Sequence, residues 1–218
     1  MYVPPAFAED RPEMLTALMA AHPLATVVTH GENGLAANLI PVVHHPADDG
    51  APAVLRAHLA RANGQLADLR AMEQAGAPVL VLFQGAQAYV SPAWYATKAE
   101  TGKVVPTWNY LAVQVRGVPR VIDDADWLRA QVADLTDRLE SSEPAPWGVG
   151  DAPDAFIASQ LRGIVGVEIP VTAIAGKWKA SQNRPAADRA GVIDGLAARQ
   201  NPMAGVIPRA SDRHQAGP

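Results

Sequence analysis

L-A-T-V-V-T-H-G-E-N-G-L-A-A-N-L-I-P-V-V, residues 24–43, is two apolar, β-branched runs joined by a polar turn. Leu24–Thr29 reads as a strand, His30–Gly34 as a turn, and Leu35–Val43 as the returning strand, interrupted at Pro41 in the manner of an edge or a bulge. Asn33-Gly34 is the strongest hairpin signal in the chain, because both residues tolerate the left-handed backbone that tight turns between strands need. The stretch therefore predicts an antiparallel pair.

Working outward, the N-terminal side holds one helix. Asp10 can cap it, Glu13 completes the capping-box spacing, and Pro12 stands in the first turn, where its missing N–H costs nothing. Met14, Leu15, Leu18 and Met19 form its apolar stripe, and it stops before His22-Pro23. On the C-terminal side, residues 53–59 read as a third strand and Asn63 as the cap of a helix through Leu66, Leu69 and Met72. Pro78–Phe83 is a fully apolar strand, and Ala86–Val90 is another after a turn at Gln84-Gly85. A long loop from Lys98 feeds a strand over 111–116, with 120–122 as its hairpin partner. Asp123 or Asp124 caps a helix through Leu139, and a shorter helix covers 153–161. Residues 163–174 read as one last long strand, followed by a helix over 185–198. About seven strands, mostly in hairpins and without regular βαβ alternation, predict an α+β or mainly β fold: an antiparallel sheet or barrel with packed helices. The expected organisation is a single domain over 1–198 and a disordered tail over 199–218.

Composition narrows the function. The 218 residues carry 18 Lys plus Arg against 22 Asp plus Glu, a net charge of −4, which disfavours a large nucleic-acid-binding surface. With no cysteine there is no disulfide framework, thiolate-bound metal or thiol nucleophile. The start, M-Y-V-P-P-A-F-A-E-D, lacks the basic and apolar regions of a signal peptide, and no run of about 18 apolar residues exists. The expectation is a cytoplasmic protein with no membrane partner. Gly102-Lys103 is not a P-loop, since Val104 stands where Ser or Thr would hold magnesium. Gly148-Val-Gly150 is followed by Pro153 where a dinucleotide fingerprint needs its third glycine. The histidines at 22, 30, 44, 45, 58 and 214 form no metal-binding pair on a helix.

Three stretches have the inventory of a site for a planar anion. K-A-E-T-G-K-V-V-P-T-W-N-Y, residues 98–110, offers Lys103 for a phosphate, Thr107 for orientation and Trp108 as an apolar wall. R-A-H-L-A-R-A-N, residues 56–63, brings His58, Arg61 and Asn63 to a helix start. K-W-K-A-S-Q-N-R, residues 177–184, places Trp178 and Arg184 around one turn.

These motifs, with A-T-V-V-T-H-G, Y-V-S-P-A-W-Y, I-V-G-V-E-I-P and the R-P-A-A-D-R-A-G-V that follows Asn183, closely resemble the PaiB-type FMN-binding negative transcriptional regulators over roughly Met1–Leu196. The resemblance implies an FMN-binding split β-barrel related to pyridoxamine-phosphate oxidases and flavin reductases, acting as a homodimer with the flavin in the interface. It implies flavin contacts from the strand after the first hairpin, here Asn38, Leu39 and Ile40, where an amide replaces the basic residue of the oxidase branch. It implies a phosphate motif at residues 58–63, with Arg61 its only charged match, and a Trp followed six residues later by an Arg, kept as Trp178 and Arg184. The oxidase His between the last two arginines is absent, which argues against pyridoxamine-phosphate oxidation. Two functions follow: a flavin-dependent regulator or sensor, with DNA contact implied by the resemblance and not by the charge, or a flavin-dependent oxidoreductase. A tetrapyrrole with His58 as ligand is a third.

Overall fold

The computed structural model describes residues 1–48 and 50–209, and the last part of the predicted tail lies outside that range. Nine strands and six α-helices occur among the described residues. The strands are β1 (Ala8–Glu9), β2 (Leu24–Gly31), β3 (Gly34–His45), β4 (Val54–Ala60), β5 (Val79–Val90), β6 (Thr107–Gly117), β7 (Arg120–Ile122), β8 (Ile164–Pro170) and β9 (Ala173–Lys179). The helices are α1 (Pro12–Ala21), α2 (Gln65–Ala75), α3 (Thr97–Thr101), α4 (Ala125–Glu140), α5 (Asp154–Leu161) and α6 (Ala186–Ala197).

The chain forms two compact units. The first comprises Met1–Leu18, Gln84–Val113 and residues 175–209; the second comprises the described residues of Met19–Phe83 and Gln114–Ile174. Strand order is β1-β9-β6-β5 in the first and β5-β2-β3-β4-β8-β7 in the second. β5 belongs to both, with Val79–Phe83 in the second unit and Gln84–Val90 in the first.

In the second unit the opening hairpin forms as expected, with one refinement. Gly31 pairs with Gly34, so only Glu32-Asn33 links the strands, and Gly34 takes the left-handed conformation at φ 92°. Pro41 does not break β3. It is the last residue paired with β2, opposite Leu24, and pairing with β4 begins at Val42. Its missing N–H thus falls where the strand changes partners. The core includes Val27, Val42, Leu55, Val81, Phe83, Val167 and Ile169, each at most 3% exposed. α4 is capped by the Asp124 side chain, which accepts from the Trp127 N–H. Trp127 lies over Gly166 so closely that a Cβ there would meet its ring at 2.3 Å.

The first unit packs α6 and the segment after it around Ala88, Val90, Tyr95, Val192, Leu196, Met203 and Ile207. This corrects the expected tail. Met203 is fully buried and Ile207 nearly so, and Asn201 caps a short 3₁₀ turn at Pro202–Gly205, so the packed chain continues past Arg199. Three further expectations are corrected. Gln84-Gly85 is extended backbone inside one continuous β5. The predicted last strand is two, because Pro170 ends β8 and β9 starts at Ala173. β7 pairs with β8, not β6, through Arg120↔Glu168 and Ile122↔Gly166.

Candidate functional site

In the first unit, T-W-N-Y is strand and not loop: Thr107–Tyr110 open β6. Alternation along the strand buries Asn109 and leaves Trp108 54% exposed. Trp108 meets the exposed Tyr89 of β5 edge-to-face, with ring centroids 6.1 Å apart. On β9, Lys177 and Lys179 share a face and Trp178 turns the other way, 9% exposed. Lys179 Nζ donates to the Thr107 hydroxyl and, at 2.7 Å, to the Trp108 carbonyl. Lys177 Nζ donates to the Tyr2 carbonyl at 3.0 Å and lies 5.2 Å from the Tyr110 ring centroid and 5.5 Å from that of Tyr2. The Arg184 guanidinium lies 4.8 Å from the centroid of the buried Tyr95 ring.

Lys177, Lys179 and Arg184 make no ion pair with any carboxylate among the described residues. Burial holds the Lys179 ammonium below its usual value; Tyr110 opposes that, and Lys177 and Arg184 add to it by repulsion. A buried and two part-buried cations, the lysines bonded only to neutral carbonyl and hydroxyl oxygens, favour an anion, and the Trp108–Tyr89 pair offers a flat apolar wall.

The turn after β9 is built to hold a shape. Ser181, buried, has φ 57°, a left-handed conformation that costs a non-glycine residue about 1–2 kcal/mol. Asn109 Nδ2 donates to Ser181 Oγ at 2.8 Å, and Gln182 bridges the turn by donating to the Trp178 carbonyl and accepting from the Ala180 N–H at 2.7 Å. Asn109 Oδ1 and the Tyr95 hydroxyl remain buried without a partner. Lys103 is exposed, and its side chain makes no hydrogen bond among the described residues.

In the second unit, Asn38 and Asn63 do meet. Asn38 Nδ2 donates to Gln65 Oε1 at 3.1 Å and to Asn63 Oδ1 at 3.5 Å, and Asn63 Oδ1 also accepts the Gln65 N–H. Gln65, 3% exposed, ties this group to the hairpin through the Val27 carbonyl at 2.9 Å and the Thr29 hydroxyl at 3.2 Å. Sequence reading missed Gln65, since a glutamine in a first helical turn carries no local signal of burial. Leu39 and Ile40 face opposite sides of the sheet: Leu39 is 64% exposed and Ile40 lies in the core. Arg61 donates through both terminal nitrogens to the Asp123 carboxylate and through Nε to the Arg162 carbonyl at 2.9 Å. Its guanidinium is therefore already engaged, and an incoming phosphate competes with Asp123. His58 Nδ1 lies 2.7 Å from Gln131 Oε1 on α4.

His44 and His45 are neighbours near the end of β3. His44 stands opposite the fully buried Leu55, and its Nδ1 has no partner. His45 Nε2 is 3.4 Å from Asp134 Oδ2 without hydrogen-bond geometry. Burial pushes both imidazoles down. At His44 the charges of His45 and Arg138 add to it; at His45 the Asp134 and Glu168 carboxylates oppose it, and Arg56 and Arg138 reinforce it. A histidine held below its unfolded value near 6.5 contributes stability that is complete above that pH and is lost as pH falls through the folded value. Denaturant midpoints should therefore fall between about pH 7 and more acid solution. His44→Leu should flatten that slope, and an unchanged slope would refute the assignment.

Comparison with known proteins decides the family. The family described as "Putative FMN-binding domain" matches residues 1–173. The chain belongs to this FMN-binding family. It is 31% identical over 204 residues to the protease synthase and sporulation protein PAI 2 of Bacillus subtilis, covering 94% of this chain and 93% of that one. It is 35% identical to an uncharacterized protein of Emericella nidulans, covering 90% of each. Among solved structures it resembles an FAD and heme binding protein from Mycobacterium smegmatis, with TM-score 0.57 and 19% identity over 79% of this chain and 73% of that one. It also resembles a flavocytochrome from Azotobacter vinelandii, with TM-score 0.56 and 14% identity over 79% and 69%. The fold is an antiparallel split barrel with packed helices, and the cofactor of the family is FMN. The first unit suits such a cofactor: cations without carboxylates can hold a phosphate, and exposed aromatic faces can flank a planar ring. No described helix is long and apolar enough to cross a membrane.

Proposed function

We propose that the protein is a homodimeric, flavin-dependent regulator that seats FMN against the Lys179–Thr107–Trp108 face and acts on transcription indirectly. The observation that carries the seat is the group Lys177, Lys179 and Arg184, unpaired with any carboxylate among the described residues, beside the exposed Trp108–Tyr89 pair. Bound FMN supplies electron and hydride transfer. The chain's part is to hold the phosphate by charge, wall the ring with Trp108, and keep Arg184 in place through the Ser181 turn. Titration of apoprotein with FMN, FAD and riboflavin tests the seat through Trp108 fluorescence. FMN should bind tightest, and equal or tighter binding of FAD would overturn the preference.

Indirect action is supported by the charge of the second unit. Arg56 and Arg120 share Glu168, Arg129 pairs with Asp154, and Arg138 with Asp134, so a DNA phosphate would have to compete with a carboxylate at each of these arginines. Specific duplex binding with a steep salt dependence would refute indirect action, and turnover of reduced nicotinamide would favour the oxidoreductase reading. The dimer is supported by the outward face of the β2–β3 ribbon, where Leu24, Leu35 and Leu39 are 56%, 76% and 64% exposed. Sedimentation at micromolar concentration should give about twice 23.0 kDa. Leu39→Glu should shift it to the monomer, since a charge in an apolar interface must be desolvated. A wild-type monomer that still holds FMN would contradict the dimer.

A further inference from the structure

The second unit contains a cavity of about 420 Å³ between the end of β4, the first turn of α4 and the last turn of α5. Its buried floor is Leu128, 2% exposed, and Leu161 forms part of the wall. Three guanidinium groups and two carboxylates line it, and most are already committed. Arg61 is held by Asp123, and Arg129 donates to Asp154 at 2.9 Å. Two charges remain. Arg162 and Asp126 both line the cavity and are exposed, and neither makes an ion pair with the other or with any other described residue.

This distribution selects among ligands by charge. A simple anion drawn by Arg162 would also face the Asp123 and Asp126 carboxylates. A simple cation drawn by Asp126 would face three guanidinium groups. A small zwitterion satisfies both free charges at once, and its apolar part can lie on Leu128 and Leu161. We propose that this cavity binds an α-amino acid with an aliphatic side chain, carboxylate toward Arg162 and ammonium toward Asp126. Charged hydrogen bonds at both ends give the orientation, and the leucine floor supplies the preference for an aliphatic group. The ligand would bridge α4 and α5, and so raise the stability of the unit that contains them.

The test is calorimetric titration of the full-length protein with L-leucine, L-leucine methyl ester, which lacks the carboxylate, and N-acetyl-L-leucine, which lacks the ammonium. L-leucine should saturate a single site with a dissociation constant of about 1 mM or tighter, and each analogue should bind about tenfold more weakly. Arg162→Gln and Asp126→Asn should each lose about tenfold for L-leucine and keep the thermal midpoint of the ligand-free protein. Absence of saturable binding, or equal binding of the three compounds, would overturn the proposal. So would displacement of L-leucine by FMN, which would make the cavity a flavin-phosphate seat around Arg61. FMN titration of the same two variants reads the flavin proposal separately, and unchanged FMN affinity alongside lost leucine affinity is the expected pattern.

Discussion

Lys179→Gln should weaken FMN binding by about ten- to a hundredfold and leave riboflavin binding nearly unchanged. The ammonium is half-buried, is shifted down by burial, and is bonded only to the Thr107 hydroxyl and the Trp108 carbonyl. A hydrogen bond to a charged group contributes about 1.5–3 kcal/mol, and each 1.4 kcal/mol is about tenfold in affinity. Glutamine keeps a donor for the Trp108 carbonyl and removes the charge, so the variant isolates the electrostatic part of the contact. Riboflavin lacks the phosphate and should not sense that loss. Equal weakening of both flavins would assign Lys179 to the ring or to local packing; no change in either would remove β9 from the seat. Trp178→Phe supplies an internal contrast. Trp178 points away from Lys177 and Lys179 and is 9% exposed, so its loss should lower stability before it alters flavin affinity.

Phe83→Ala should lower stability by about 3–5 kcal/mol, the range for truncating a fully buried aromatic ring. Phe83 is 0% exposed, among the largest fully buried side chains, and ends the part of β5 that belongs to the second unit. For a chain of this size each kcal/mol moves the thermal midpoint by about 2–4 °C, so the expected fall is roughly 6–20 °C. Scanning calorimetry measures it. Phe83→Leu retains most of the volume and should recover more than half of the loss. A fall of under about 2 °C for the alanine variant would mean that the site collapses around the void, contrary to a tightly packed core.

What the sequence determined by itself is local. The hairpin over 24–43, the capped helix after Asp124 and the helix that opens after Pro185 all formed where expected, because turn chemistry, capping and apolar periodicity act over a few neighbouring residues. Family motifs named the cofactor for the same reason, being contiguous strings. Tertiary structure decided what depends on partners far along the chain. T-W-N-Y became strand because its partners are other strands of the sheet, and the Lys179 ammonium reaches Thr107 across 72 residues. Arg61 looked like a free phosphate ligand until folding brought Asp123, 62 residues away, onto its guanidinium. Gln65 became the buried centre of an amide network by contacts 27 to 38 residues distant. The end of the chain looked like a tail because Met203 and Ile207 lack periodic apolar neighbours, and the apolar surface that buries them includes α6 and β5. Burial and charge pairing are properties of which surfaces meet, and that is settled only when residues far apart along the chain have come together.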